Sequence, residues 1–229
     1  GMRAFDSILM DEITIPEKVG SVENVIYSME LKAVHVAENN PWYYSVDGVL
    51  FDRAENMLLF YPEYREDTVY SIPEGTKSLD ESVFSGNEYL TEVTLPSTLE
   101  KVSNDAFSYC DNLEKINFSE GLREIGASAF RFCGITSLKT PSTLKKIGSY
   151  AFEGCNFKEI VLNEGLEEIG QWSLNGAEVT EINLPDSIRS VGIHALPSGL
   201  VSLTIPESLI YLEAGYYYKE GQVAQNEKA

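Results

Sequence analysis

Several kinds of chemistry are removed by what this chain lacks. It has two histidines, His35 and His194, which its repeats set far apart, so no base and orienting partner can converge on one nucleophile. There is no glycine-rich phosphate cradle and no pair of histidines at helical spacing for zinc. Basic residues are scarce, 17 against 36 acidic ones, and the formal charge of -19 repels phosphate backbones and anionic membranes. No apolar run approaches the roughly 20 residues that span a bilayer. The first residues lack the basic-then-apolar pattern of a secretory leader. The expectation is a non-enzymatic protein with no cofactor, no metal, no nucleic-acid partner and no direct membrane insertion.

What the chain has is a repeat. Leu90, Leu113, Ile135, Phe157, Val179 and Leu200 are spaced by 23, 22, 22, 22 and 21 residues. Other apolar columns keep the same phase: Val93, Ile116, Leu138, Ile160, Ile182 and Leu203; Leu99, Leu122, Leu144, Leu166, Ile188 and Leu209; Val102, Ile125, Ile147, Ile169, Val191 and Leu212. A further column reads Phe107, Phe130, Phe152, Leu174 and Leu196. A period of 20 to 29 residues with an L-x-x-L-x-L core belongs to leucine-rich solenoids. One such coil buries some six large apolar side chains at roughly 1.5 to 3 kcal/mol each. Ordering its backbone costs about 1 to 2 kcal/mol per residue. A lone coil therefore does not fold, and the stack is held by its neighbour interfaces.

The spacing predicts a curved, right-handed leucine-rich repeat solenoid of about nine coils, α/β in class and rich in β. Segments typified by Thr91-Glu92-Val93-Thr94-Leu95 alternate as short strands must and would form a parallel sheet on the concave face. Pro16, Pro73, Pro96, Pro141, Pro185 and Pro206 follow these segments and end their pairing. Gly126, Gly148, Gly170 and Gly192 mark tight corners leading to irregular or short helical turns on the convex side. The stretch from about 39 to 66 breaks the period. Val49-Leu50-Phe51 and Met57 to Tyr61, separated by polar Asp52 to Asn56, read as an inserted β-hairpin, and Asp47-Gly48 is a second turn signal. Residues 1–215 are expected to be one domain, with regular coils at about 67–212 and a cap and polar tail at 216–229. Gly1 to Phe5 matches the phase of Gly126 to Phe130, so the chain opens halfway through a repeat. Either a segment upstream is missing, or Gly1 precedes a native Met2 and the half-repeat acts as a poor cap.

The run Leu144-Lys145-Lys146-Ile147-Gly148-Ser149-Tyr150-Ala151-Phe152-Glu153-Gly154-Cys155 resembles the BspA-like leucine-rich repeat family of bacterial and protist surface proteins. Asn40 to Phe51 is similar to the hairpin insertion often found in that family. The resemblance implies a cell-surface or secreted protein that binds proteins or glycans, of the host extracellular matrix or of another cell. It supplies no catalytic residues.

Three groups of residues invite a functional reading, each beside a plainer one. Cys110, Cys133 and Cys155 fall in one column 23 and 22 residues apart. They are a buried ladder, a disulfide with one cysteine left over, or a metal site; Ala177 and Gly199 in the same column favour the ladder. Outward positions of the expected sheet include Glu92, Thr94, Lys115, Asn117, Ser137, Lys139, Glu159, Glu181 and Asn183. They form either a binding face of scattered polar contacts or a merely solvated sheet. Trp42, Tyr43 and Tyr44 open an aromatic-rich stretch, which is either an interface hot spot or the packing of the insertion. The reading adopted is an adhesion or binding module; the alternatives are a structural spacer or an accessory repeat that holds substrate for a larger protein.

Overall fold

The computed structural model describes residues 10–22 and 30–212. Among the described residues there are 19 strands and no helix. The first two, β1 (Glu12–Ile15) and β2 (Ala33–Val36), pair in parallel. The insertion follows as β3 (Tyr43–Val46), β4 (Val49–Asp52) and β5 (Met57–Phe60). From there, long and short strands alternate around each coil. They are β6 (Val69–Ser71), β7 (Ser78–Leu79), β8 (Glu92–Thr94), β9 (Lys101–Val102), β10 (Lys115–Asn117), β11 (Glu124–Ile125) and β12 (Ser137–Lys139). The series continues with β13 (Lys146–Ile147), β14 (Glu159–Val161), β15 (Glu168–Ile169), β16 (Glu181–Asn183), β17 (Ser190–Val191), β18 (Ser202–Thr204) and β19 (Tyr211–Leu212).

Each coil thus lays one three-residue strand on one face and one two-residue strand on another. The short strands from β9 to β19 form an unbroken parallel sheet. The long strands join in parallel as β6-β8-β10, β12-β14 and β16-β18, with breaks between those groups. The result is a parallel-strand solenoid of about nine turns with a leucine-rich repeat fold. In β6, β12 and β16 the middle residue is buried while its neighbours face out, the alternation that a half-buried strand requires. Each proline column opens a turn: the carbonyls of Pro73, Pro96, Pro141 and Pro185 accept the amides of Thr76, Leu99, Leu144 and Ile188.

The apolar columns meet inside. Phe84, Phe107, Phe130 and Phe152 stack face to face, with successive centroids 4.6, 5.1 and 5.2 Å apart and planes within 6° of parallel. Phe84 extends by one coil the column of Phe107, Phe130 and Phe152. Cys110, Cys133 and Cys155 lie beside this stack, buried and unpaired. Each thiol donates to the carbonyl of the phenylalanine in the preceding coil: Cys110 to Phe84, Cys133 to Phe107 and Cys155 to Phe130, at 3.0, 3.0 and 3.1 Å.

The convex corner differs from the expected helical turn. Every second amide there, at Ser82, Phe84 and Gly86, donates to Asn104, Ala106 and Ser108 of the next coil, and later corners repeat the pattern. Around these amides the chain adopts left-handed φ at two positions four residues apart, as at Asp105 (54°) and Tyr109 (60°). A helix would turn the same amides back on their own coil. Spacing alone could not separate the two, because Ala-Phe followed three residues later by Cys also fits one turn of helix. The column Gly126, Gly148, Gly170 and Gly192 serves close approach: a Cβ on Gly148 would lie 2.6 Å from the carbonyl carbon of Gly126, and one on Gly170 as close to Gly148.

The insertion is a three-stranded unit rather than a simple hairpin. β3 and β4 pair antiparallel around Asp47-Gly48, whose φ values of 49° and 77° are those of a type I′ turn. β4 pairs antiparallel with β5, and β5 runs parallel to β7, so the insertion enters the short-strand face. Val49 and Phe51 join the main core, whereas Leu50 joins a second core of Ile15, Leu31, Val34, Tyr43 and Phe60. β4 is therefore buried on both sides and joins the first coils to the rest. The expected half-repeat at Gly1 to Phe5 and the expected cap at Tyr216 to Tyr218 with its tail lie outside the described residues.

Candidate functional site

Among the outward positions of the long strands, the structure brings Glu92, Lys115, Asn117 and Thr94 into one network. The Glu92 carboxylate accepts from Lys115 Nζ at 2.8 Å and from Asn117 Nδ2 at 2.7 Å, and Asn117 Nδ2 also reaches Thr94 Oγ1 at 3.0 Å. The Lys115 ammonium and then the Asn117 amide hold the Glu92 carboxyl below its ordinary range. This pairing follows from the register, which sets Lys115 beside Glu92 and Asn117 beside Thr94.

The other predicted face residues differ. Ser137, Lys139, Glu159, Glu181 and Asn183 are exposed on β12, β14 and β16. Ser137 lies beside Glu159 and Lys139 beside Val161 in the strand register. Elsewhere, basic residues are engaged across coils: Lys101 with Glu124 at 2.8 Å, Lys145 with Glu167 at 3.0 Å, Lys146 with Glu168 at 3.2 Å, and Lys158 with Glu178. No such bond to a described residue ties down the side chains of Ser137, Lys139, Glu159, Glu181 or Asn183. That stretch of the strand face presents uncommitted polar groups on two strand pairs, β12-β14 and β16-β18.

The aromatic insertion is divided. Tyr43 is buried, and its hydroxyl donates to the Gly20 carbonyl at 3.3 Å. Tyr44 is half-buried and stacks on Phe51 at 5.1 Å, with the Arg53 guanidinium 5.3 Å from its ring centre. Trp42 is exposed at its outer edge, while its ring lies so close over Gly20 that a Cβ there would come within 2.9 Å of it. Asn40 sets this geometry: its Oδ1 accepts the amides of Trp42 and Tyr43, and its Nδ2 donates to the carbonyls of Pro16 and Val19. The structure keeps Trp42, Tyr43 and Tyr44 together at the insertion and brings none of them to the strand-face residues at β12 to β16.

His35 lies on β2 and pairs with Glu12 at 3.3 Å, whereas His194 lies in a late corner against Trp172. Among the described residues no group of His, Cys, Asp and Glu is placed to hold a metal. No helix among them is long and apolar enough to cross a membrane.

Sequence reasoning missed a second surface. Tyr109, Phe132, Tyr150, Trp172 and His194 all sit at left-handed corner positions. They link through ring contacts of 5.4 Å (Tyr109 to Phe132), 6.5 Å (Tyr150 to Trp172) and 4.4 Å (Trp172 to His194). The signal was present as a column holding Tyr109 and Phe132 in two coils and Gly86, Gly154 and Gly176 in others. Glycine and aromatics share no packing role, so the interchange points to a backbone requirement with a separate reason for the rings.

A protein-family model for the BspA type leucine rich repeat region matches six copies, at residues 65–134 and 123–225. The chain belongs to this family. No curated protein matches it in sequence. Among solved structures, it is similar to the pneumococcal vaccine antigen PcpA, with 25% identity and a TM-score of 0.64 over 91% of this chain and 52% of that one. It is similar to a leucine rich cell surface protein from Faecalibacterium prausnitzii A2-165, with 25% identity and a TM-score of 0.62 over 93% and 54% of the two chains. A leucine-rich repeat protein from Bacteroides ovatus shares the fold at 20% identity and a TM-score of 0.61, over 74% and 45%. The chain spans about half the length of these structures.

Proposed function

We propose that this chain is a non-enzymatic binding module of a surface or secreted protein and that it adheres to a protein or glycan partner through its long-strand face. One observation carries this reading: Ser137, Lys139, Glu159, Glu181 and Asn183 stand exposed and uncommitted on the strand pairs β12-β14 and β16-β18, while Lys101, Lys145 and Lys146 of the neighbouring short-strand face are consumed in cross-coil pairs. Fixed polar groups on a preorganised scaffold bind with little ordering cost. The likeness to a vaccine antigen and a cell surface protein supports a location outside the cell.

Biolayer interferometry against purified fibronectin, laminin and collagen tests the reading. Binding to at least one of them is expected, with a tenfold loss in Lys115→Glu/Lys139→Glu and no loss in Trp42→Ser. Retention unchanged in the lysine variant but lost in Trp42→Ser would move the contact to the insertion. Absence of binding to every member would favour the structural spacer.

A further inference from the structure

We propose that the aromatic stripe along the convex corner is a second binding site, for a neutral polysaccharide. The stripe crosses five successive coils, from Tyr109 and Phe132 through Arg131 to Tyr150, Trp172 and His194. Arg131 joins its two halves: the guanidinium lies 4.8 Å from the Phe132 ring centre and 5.7 Å from that of Tyr150. Glu153 accepts its Nε proton at 2.6 Å, so the formal charges on the stripe cancel.

Three observations lead to a ligand. The first is conformational. Tyr109, Phe132, Tyr150, Trp172 and His194 have φ of 60°, 54°, 60°, 58° and 55°, a backbone that disfavours bulky side chains. The same columns hold Gly86, Gly154 and Gly176, or Ser82, Asp105 and Ser128, in other coils, so the fold does not need rings there. Residues held in such conformations collect at ligand clamps.

The second is exposure. Tyr109 and Phe132 are 51% and 38% exposed, although rings of this size usually reach the core. Phe132 lies across the bare backbone of Gly154, where a Cβ would fall 2.2 Å from the ring. Tyr150 and Trp172 are parallel within 7° yet 6.5 Å apart, too far for either ring to cover the other's face closely.

The third is charge. Within a chain of net charge -19, the charged groups Arg131 and Glu153 beside these rings offset each other. Gln171, whose amide donates to the Tyr150 hydroxyl at 3.4 Å, lies next to Trp172, and Ser149 precedes Tyr150 in sequence. Rings that stack on the C–H face of a sugar, beside amides and hydroxyls that bond its hydroxyls, suit a polymer without charge. A linear chain of sugars also matches a site that runs along the stack, since coils about 4.8 Å apart present one ring after another.

Affinity electrophoresis in native gels containing glycogen, laminarin, galactomannan or dextran, with alginate as the anionic control, tests the proposal. At least one neutral polymer is expected to slow the wild type at least twofold. Tyr150→Ser/Trp172→Asn should lose that retardation while melting no lower, because asparagine suits left-handed backbone. Tyr109→Gly/Phe132→Gly, which places glycine where this column already uses it, should weaken retardation independently. Lys115→Glu/Lys139→Glu should leave it intact, which separates this site from the strand face. With Trp42→Phe in place, Trp172 becomes the remaining tryptophan, and its emission should shift on addition of the retarding polymer. Retardation by alginate alone, by no polymer, or equally in both ring variants would overturn the proposal. So would loss of extracellular-matrix protein binding in the ring variants without any effect of polysaccharide.

Discussion

Individual side chains hold the stack together through repetition. Phe130 is enclosed by Phe107 on one side and Phe152 on the other, and Phe118 meets it edge-on at 5.8 Å. Replacing it with alanine removes a ring from three contacts at once, and the neighbouring coils cannot close the gap without breaking their strand register. Phe130→Ala should cost about 3 to 5 kcal/mol in denaturant unfolding; a loss below about 1 kcal/mol would show that the aromatic column does not carry the core. The thiols beside it are similarly shielded. Burial raises the Cys155 pKa to about 12 and also raises that of Cys133. A free thiol titrates near about 8.5 in the unfolded chain. Above that pH the unfolded state loses protons that the native state keeps, so stability present below about pH 8.5 is lost progressively as pH rises toward about 12. All three thiols should ignore maleimide at pH 8 in the native protein and react on unfolding. One thiol per denatured, unreduced chain would instead reveal a disulfide.

At the scale of elements, coils alternate in kind. Pro96, Pro141 and Pro185 precede Ser97-Thr98, Ser142-Thr143 and Asp186-Ser187, while the intervening coils carry Glu74-Gly75, Glu120-Gly121 and Glu164-Gly165 at the same place. Each glutamate caps the next coil: Glu74 accepts from the Ser97 amide and hydroxyl, Glu120 from those of Ser142, and Glu164 from the Asp186 amide. The long-strand ladder is interrupted between β10 and β12 and between β14 and β16, at two of the junctions these glutamates span. Glu120→Ala should therefore cost about 1 kcal/mol, whereas Glu114→Ala, at an exposed position of the same coil, should stay within about 0.5 kcal/mol. Equal effects would deny the capping role. The single-coil period was legible because each column holds one chemical type, and the columns from Leu90 to Val191 are buried or half-buried as that pattern requires. The two-coil alternation sits in polar turn residues, which apolar alignment averages away. The corner strip was hidden for a related reason: Tyr109, Phe132, Tyr150 and Trp172 occupy two columns, so neither column reads as aromatic throughout.

For the whole molecule, position along the stack decides how far a defect spreads. A solenoid coil touches only its neighbours, so stability is close to a sum of coil and interface contributions. Burial falls off toward the last described coil: Leu200, Leu203 and Leu209 are half-buried, and Ile210 and Leu212 are 77% and 46% exposed. The same chemical change should therefore act differently in the middle and at this end. Phe130→Ala removes an interior link, so amide protection should drop in coils on both sides, from about Leu113 to Phe152, and the stack should melt as two loosely coupled halves. Leu209→Ala acts where the interface is already thin. It should cost about 1 to 2 kcal/mol less than Phe130→Ala, because less buried volume is lost, and the change in protection should stay within residues 190–212. Native-state hydrogen exchange resolves the two patterns. Uniform loss of protection across the chain in both variants would mean that the coils unfold as one cooperative block.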